Sequence, residues 1–439
     1  MKRKILSAAA VIMAMSMNAS VYAAASPWGG GQDVKKPNSV IDAGENAVTA
    51  APAEVSHDEP VVTAATAADS GNNSENRLVQ GSEPVRIINF PAVTVTETDK
   101  PADDVWFDSD NIVTGTPDRK SYTDIVDSSK QIYSYKDMSE DIRELEKAYG
   151  DLIDVHEIGT TADRRKIYDI VTGDIGADKQ MIVQASCHGR EYMTSLLVME
   201  QLEYALNNYD SVVYGGRTAR ECFEGVEVHI IPMLNPDGVS ISQYGKNGLQ
   251  NPVLRLNLSS IYSNNVNWRY TKLRESEYYR RWKANGRGVD INRNFDGRWK
   301  YVDPLRGTSG EGYRGREAES ESETRALCDL TRSLSNPVSA VSYHATGSVI
   351  WWDYGQTGDF RERCARQAAA VHMVTGYSYY PADPTSAGGY CDWIIEKGGE
   401  RTVPTLIEIG SSRCPLPLSE YPAIWRENRN VLFAVSSLY

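Results

Sequence analysis

Short apolar runs alternate with stretches of helical period from about residue 131 to Tyr439, and this alternation limits the possible folds more than any other feature of the sequence. Met181-Ile182-Val183-Gln184-Ala185 is apolar enough to be a strand buried on both faces, and Leu196, Leu197, Met199, Leu202, Ala205 and Leu206 then recur at helical spacing. Val155–Ile158 and Ile167–Val171 read as two strands around a polar turn, and Val226–Ile231, Val338–Tyr343 and Thr402–Ile407 as three more. Helices are expected where Met138, Ile142, Leu145 and Tyr149 recur, with Asp137 as N-cap and Gly150 as C′ residue, and over Arg316–Leu334, Asp359–Val374 and Ile424–Leu438. Strands and helices in alternation predict one α/β domain over residues 129–439, with a central mixed, twisted sheet flanked by helices.

The chain ahead of that domain has a different composition. Met1-Lys2-Arg3-Lys4, the apolar run Ile5–Met17 and the small residues around Val21-Tyr22-Ala23 form a signal peptide over 1–25, too short to be a membrane span. No other stretch approaches the length needed to cross a bilayer, so an exported protein is expected, secreted or held at a bacterial cell wall. Residues 26–128 read as a disordered spacer or propeptide: between Ile41 and Gln80 there are seven acidic residues, one Arg and no Phe, Tyr or Trp. Val85–Phe90, bracketed by Pro84 and Pro91, is the one strand-like island. A net charge of -13 argues against nucleic acid as a partner, and a monomer is expected. Six widely spaced cysteines permit disulfides in an exported chain, but no CxxC pair suggests a cysteine metal site.

In open α/β sheets ligands bind outside the carboxyl ends of the strands. Ser186-Cys187-His188-Gly189-Arg190-Glu191-Tyr192 lies there, between the Met181 strand and its helix. His188 and Glu191 can converge on one cation from such a turn, and their donor atoms suit Zn²⁺, which needs three protein ligands and one open position for catalysis. A third ligand is offered by His344, which follows Val338–Tyr343; of the six histidines only His188 and His344 close apolar strands. Glu408 ends the Thr402 strand. Burial and a nearby cation push a carboxyl pKa in opposite directions, which is how a general base near neutrality is made. Asn292 and Arg293, in Gly288-Val289-Asp290-Ile291-Asn292-Arg293-Asn294-Phe295, can grip a free carboxylate through an amide donor and a guanidinium fork. Asn235-Pro236-Asp237-Gly238 reads only as a tight turn. Taken singly, each of these residues is as well explained by structure as by chemistry.

Taken together and in order, His188-Gly189-Arg190-Glu191, Asn235-Pro236-Asp237-Gly238, Gly288–Phe295, His344 after Ser342-Tyr343, and Glu408 resemble the zinc metallocarboxypeptidases of the carboxypeptidase A type, the funnelins. The run Trp282-Lys283-Ala284-Asn285-Gly286-Arg287-Gly288-Val289-Asp290 is similar to the bacterial secreted branch that includes γ-D-glutamyl-diamino-acid peptidases. The resemblance implies one Zn²⁺ per chain on His188, Glu191 and His344, with Glu408 as catalytic base. It implies Asn292 and Arg293 on the substrate carboxylate, and Arg190 on the substrate further from the cut. Two positions depart from the family pattern. The oxyanion-stabilising Arg falls on Lys283, with Arg287 as the other choice, and the mobile Tyr falls on Pro384, with Tyr379, Tyr380 and Tyr390 nearby. Cys391 falls near the base of the specificity pocket, where it names no side-chain preference. The expected activity is zinc carboxypeptidase; the alternatives are a peptidoglycan stem-peptide hydrolase using the same site, a non-catalytic wall- or peptide-binding relative, and a small N-acyl amino acid deacylase.

Overall fold

The computed structural model describes residues 123–268, 271–303, 307–382 and 387–439, all within the compact unit Val93–Tyr439. The signal segment 1–25, most of the 26–128 spacer with its Val85–Phe90 island, and Pro384 lie outside the described residues.

Helix α1 (Tyr135–Tyr149) opens on a capping box. Ser134 is the N-cap: its hydroxyl accepts from Asp137 N at 3.1 Å while the Asp137 carboxylate accepts from Ser134 N at 2.9 Å. The cap expected at Asp137 therefore moves back three residues, and Asp137 answers it from inside the first turn. The ordered body also starts earlier than residue 129. Thr123, Ile125 and Val126 dock on helix α2 (Met193–Asn207), where the Glu203 carboxylate accepts from the Thr123 hydroxyl and from the backbone of Ile125 and Val126 at 2.7–2.9 Å.

Eight strands form one mixed sheet in the order β1-β2-β6-β3-β7-β10-β8-β9. These are β1 (Asp154–Thr160), β2 (Lys166–Gly173), β3 (Lys179–Gln184), β6 (Val226–Ile231), β7 (Pro337–Ala345), β8 (Val349–Asp353), β9 (Ser378–Pro381) and β10 (Val403–Ile409). Short β4 (Val212–Tyr214) and β5 (Arg217–Thr218) pair apart from it, ahead of helix α3 (Ala219–Phe223). The core of the sheet, β6-β3-β7-β10, is parallel, and β1, β2 and β8 run antiparallel to a neighbour. The apolar run of β3 serves both faces: Met181 and Val183 join the core beneath α2, and Ile182 joins the core on the other side. Helix α7 (Ser322–Ser333) and helix α9 (Tyr390–Lys397) cover that second face with Leu327, Cys328 and Ile394.

Between β6 and β7 the chain leaves the sheet through helices α4 (Pro236–Tyr244), α5 (Pro252–Asn267) and α6 (Glu275–Arg280). This excursion has its own small core of Ile241, Leu258, Ile261, Tyr278, Tyr279 and Trp282. Helix α7 begins at Ser322 and not at Arg316, because the preceding turn is pinned to Asn294: Glu319 N donates to the Asn294 carbonyl and Glu321 N to its Oδ1. Helix α8 (Gly358–Thr375) matches its expected bounds. The single closing helix expected over Ile424–Leu438 is two, α10 (Tyr421–Asn428) and α11 (Val431–Ser436). Gln201 of α2 donates to the Asn428 carbonyl at 2.6 Å and so draws it out of the helical ladder. All six cysteines are free and buried. No helix among the described residues is long and apolar enough to cross a membrane.

Candidate active site

The turn after β3 is shaped by close approaches of backbone. Ser186 leaves the strand at φ 48°, a left-handed conformation held by a hydroxyl contact to Ser195 at 2.7 Å and by its N–H to the Thr194 hydroxyl at 2.9 Å. Gly189 N donates to the Lys283 carbonyl at 3.0 Å. A Cβ on Gly189 would lie 2.3 Å from the Gly238 carbonyl, and one on Gly238 would lie 2.4 Å from the Ala284 carbonyl, so His188-Gly189-Arg190-Glu191, Asn235-Pro236-Asp237-Gly238 and the Lys283 segment pack backbone on backbone. The second run is more than a turn. Asn235 caps α4 through Gly238 N, and its amide reaches the carbonyls of Cys187 and Ala284, tying the end of β3 to the Lys283 segment. Asp237 is buried against Arg165 at 2.8 Å and locks the β1–β2 turn.

His188, Glu191 and His344 converge, all buried. The His188 Nδ1 lies 2.8 Å from Glu191 Oε1, the His344 Nδ1 lies 3.0 Å from Glu191 Oε2, and the two Nδ1 atoms are 3.2 Å apart. Ligands on a tetrahedral zinc at 2.0–2.1 Å sit about 3.3 Å from one another, so these donors have the spacing of a zinc ligand set. Two imidazole nitrogens and a carboxylate turned inward on one point can hold a cation between them. The far nitrogen of His188, Nε2, is within ion-pair distance of the buried Asp290 carboxylate at 3.2 Å, though neither it nor the far nitrogen of His344 makes a hydrogen bond. An imidazole backed by a carboxylate is oriented with the opposite nitrogen free for metal. Asp290 thus has a role that the sequence reading passed over, although it stands two residues before Asn292 in the same run.

Electrostatics around the three donors favour positive charge. Burial opposes a protonated His188, but Glu191 and Asp290 outweigh it and hold its pKa above the ordinary value. Burial would raise Glu191, yet His188 and His344 hold its carboxyl well below the usual range. Burial would likewise raise Asp290, and His188, Arg293 and Lys283 hold it down.

Glu408 stands opposite His344 in the parallel β10–β7 register. One of its oxygens, Oε2, is closed off from water and has no partner. Burial, then the charge of Glu191, pushes this carboxyl up to about 7, against the pull of His344, Lys283 and Arg190. Lys283 therefore acts on the site itself, whereas Arg287 is exposed and turned to Glu321 at 3.8 Å. Arg190 is partly buried, with its guanidinium on the Arg281 carbonyl at 3.3 Å and near Glu311 at 3.6 Å. Asn292 accepts from Tyr390 N, and Arg293 donates to the Asn292 carbonyl at 2.7 Å. The neighbouring Gly388 is pressed against the Arg293 carbonyl, which fixes the 387–390 turn on this segment. Of the tyrosines near Pro384, Tyr390 is buried with its hydroxyl on Thr331, and Tyr379 and Tyr380 are exposed on β9. Cys391 is buried beside Ser342 and the Tyr354 side chain.

The sequence profile of the zinc carboxypeptidases matches residues 138–429. The chain belongs to that family. It is a peptide hydrolase whose cofactor is zinc, and the His-Glu-His set fits that metal. Among its relatives, the gamma-D-glutamyl-L-diamino acid endopeptidase 1 of Lysinibacillus sphaericus is 28% identical over 311 residues, 70% of this chain and 73% of that protein. Human carboxypeptidase B is 26% identical over 262 residues, 56% of each chain. The fold is shared with thrombin activatable fibrinolysis inhibitor, at a TM-score of 0.56 and 18% identity over 72% of this chain and 77% of the other. The carboxypeptidase A of Helicoverpa armigera gives 0.53 and 16% over 73% and 77%.

Proposed function

We propose that this member of the family is an exported peptidase that hydrolyses an amide bond near a free C-terminal carboxylate. His188, Glu191 and His344 hold the zinc, which when bound supplies a Lewis acid and makes a water acidic enough to ionise near neutrality. Glu408 takes the proton from the attacking water and returns it to the leaving amine. Lys283, a point charge within electrostatic reach of Glu408, steadies the negative charge that develops on the scissile carbonyl. Asn292 and Arg293 receive the substrate carboxylate, and Arg190 lies on the other side, toward the substrate's N-terminal part. Residues 1–25 direct export and 26–128 separate the catalytic domain from them.

The observation that carries this reading is the meeting of three buried donors, at mutual distances of 2.8–3.2 Å, beside a carboxyl with an unpaired buried oxygen. Glu408→Gln decides it: zinc content should stay at one per chain while kcat falls at least ~10²-fold, the lower end of what a positioned base contributes. Unchanged turnover would remove Glu408 from the reaction.

A second reading narrows the substrate to peptidoglycan stem peptides, cut at a γ-D-glutamyl bond. It is favoured by the likeness to the Lysinibacillus endopeptidase over 311 residues. A panel of D- and L-configured peptides separates the two readings. Cleavage of stem peptides over blocked L-dipeptides supports the second, and the reverse order rejects it.

A further inference from the structure

A cleft of about 510 Å³ opens beside Arg190, on the side to which the proposed reaction assigns the substrate's N-terminal part. Its walls are the end of α5, α6 and the 307–311 segment, with Arg190, Asn264, Trp268, Tyr278, Arg281 and Glu311 among the side chains. Asn292, Arg293 and Glu408 are not part of it. Arg190 joins the two places, since its charge is felt at Glu408 while its side chain lines the cleft. If the substrate carboxylate lies at Asn292 and Arg293, the cleft is where the chain on the N-terminal side of the cut must go.

The lining states what kind of group fits. Among the described residues its cations have acidic neighbours: Arg281 donates to Glu277, which Arg280 shares, and Arg190 is 3.6 Å from Glu311. Among the described residues no strand borders it, and an extended peptide would find no edge there on which to form a main-chain ladder. What it offers is an indole face at the rim, for Trp268 is 73% exposed, together with the amide of Asn264 and the hydroxyl of Thr308, that of Ser309 already donating to Asn265 Oδ1 at 2.8 Å. At the mouth of a cleft such a ring offers an apolar face with an N–H at its edge, the pairing that makes Trp common at binding surfaces. A flat aromatic face beside amide and hydroxyl groups matches a pyranose ring, whose C–H face stacks while its hydroxyl and N-acyl groups hydrogen-bond.

We propose that this cleft binds an N-acyl amino sugar carried on the N-terminal side of the scissile peptide. The assignment rests on the stem-peptide reading of the same site, and it adds that the glycan end is recognised as well as the peptide. The test compares a bare stem peptide, the same peptide bearing N-acetylmuramic acid on its N-terminus, and the same peptide extended there by two amino acids. In the wild type the sugar should raise kcat/KM about tenfold over the bare peptide, equivalent to ~1.4 kcal/mol. The two added amino acids should not. Trp268→Ala should bring the sugar-to-bare ratio close to one, and Tyr301→Ala, an exposed aromatic outside the cleft, should leave the ratio as it was. Equal rates for sugar and bare peptide, or an equal gain from two amino acids, overturn the cleft assignment while stem-peptide cleavage still stands. If only L-dipeptides are cut, the substrate reading fails. The cleft is then decided by binding of the glycosylated peptide to Glu408→Gln, where saturable binding lost with Trp268→Ala upholds the sugar site and no binding ends it.

Discussion

His188 uses both ring nitrogens, and this double use fixes which of them can meet a cation. Asp290 takes Nε2 at 3.2 Å and leaves Nδ1 facing Glu191 and His344. Asp290→Asn keeps the shape but removes the charge that orients the ring, so zinc affinity should fall about 10- to 100-fold in a competition titration with a chelator. Unchanged affinity would reduce Asp290 to packing. In the proposed reaction Glu408 carries the pH dependence. Burial and Glu191 lift its carboxyl to about 7, and a bound cation pulls it back toward the ordinary Glu range. The base proposed here works ionised, so kcat/KM should fall as pH drops, with the acid midpoint between those limits. A midpoint above about 7 in the zinc-loaded enzyme would show that another group titrates.

At the scale of elements, the site is a product of two glycine-bearing turns pressed together. Gly189→Ala would force a Cβ to 2.3 Å from the Gly238 carbonyl and loosen the turn that carries Arg190 and Glu191. Overpacking of this kind costs about 1–3 kcal/mol, to be read from the urea midpoint, and the zinc titration should weaken with it. A variant as stable as the wild type would mean that the two turns can part without harm. The strand that leads to His188 and those that carry His344 and Glu408 were legible because each is a mostly apolar run in the buried middle of a parallel sheet. Helix α5 was not legible: its buried residues Leu254, Leu258 and Ile261 are interleaved with exposed Val253 and Leu256, which blurs the helical period. The α10–α11 break was hidden for another reason, since it depends on a distant side chain, Gln201, and local sequence carries no sign of that partner. The three candidate metal donors near strand ends could be read; Asp290 beside His188 needed the third dimension.

Across the whole molecule, buried carboxyls set how stability follows pH. Glu323 lies wholly inside, beneath the active-site segment, with Asn285, Ser322, Glu321 and Asp237 around it; burial, then Asp237, raises its pKa to about 7. A carboxyl whose folded pKa exceeds the unfolded one favours the fold while protonated. That contribution is complete below about pH 4.5 and is lost as pH rises through 7. Glu323→Gln should therefore gain stability over the wild type between pH 5 and 8, on the order of 2 kcal/mol in urea unfolding. A difference that does not change with pH would contradict the raised carboxyl. The three parallel strands β3, β7 and β10 bring together residues that stand far apart along the chain, from His188 to Glu408. No local stretch owns enough of the apparatus to cut anything. A copy still threading, or one cleaved between the first histidine and the last glutamate before its sheet closes, is inert toward its neighbours, and hydrolytic power arrives only with the final strand in place.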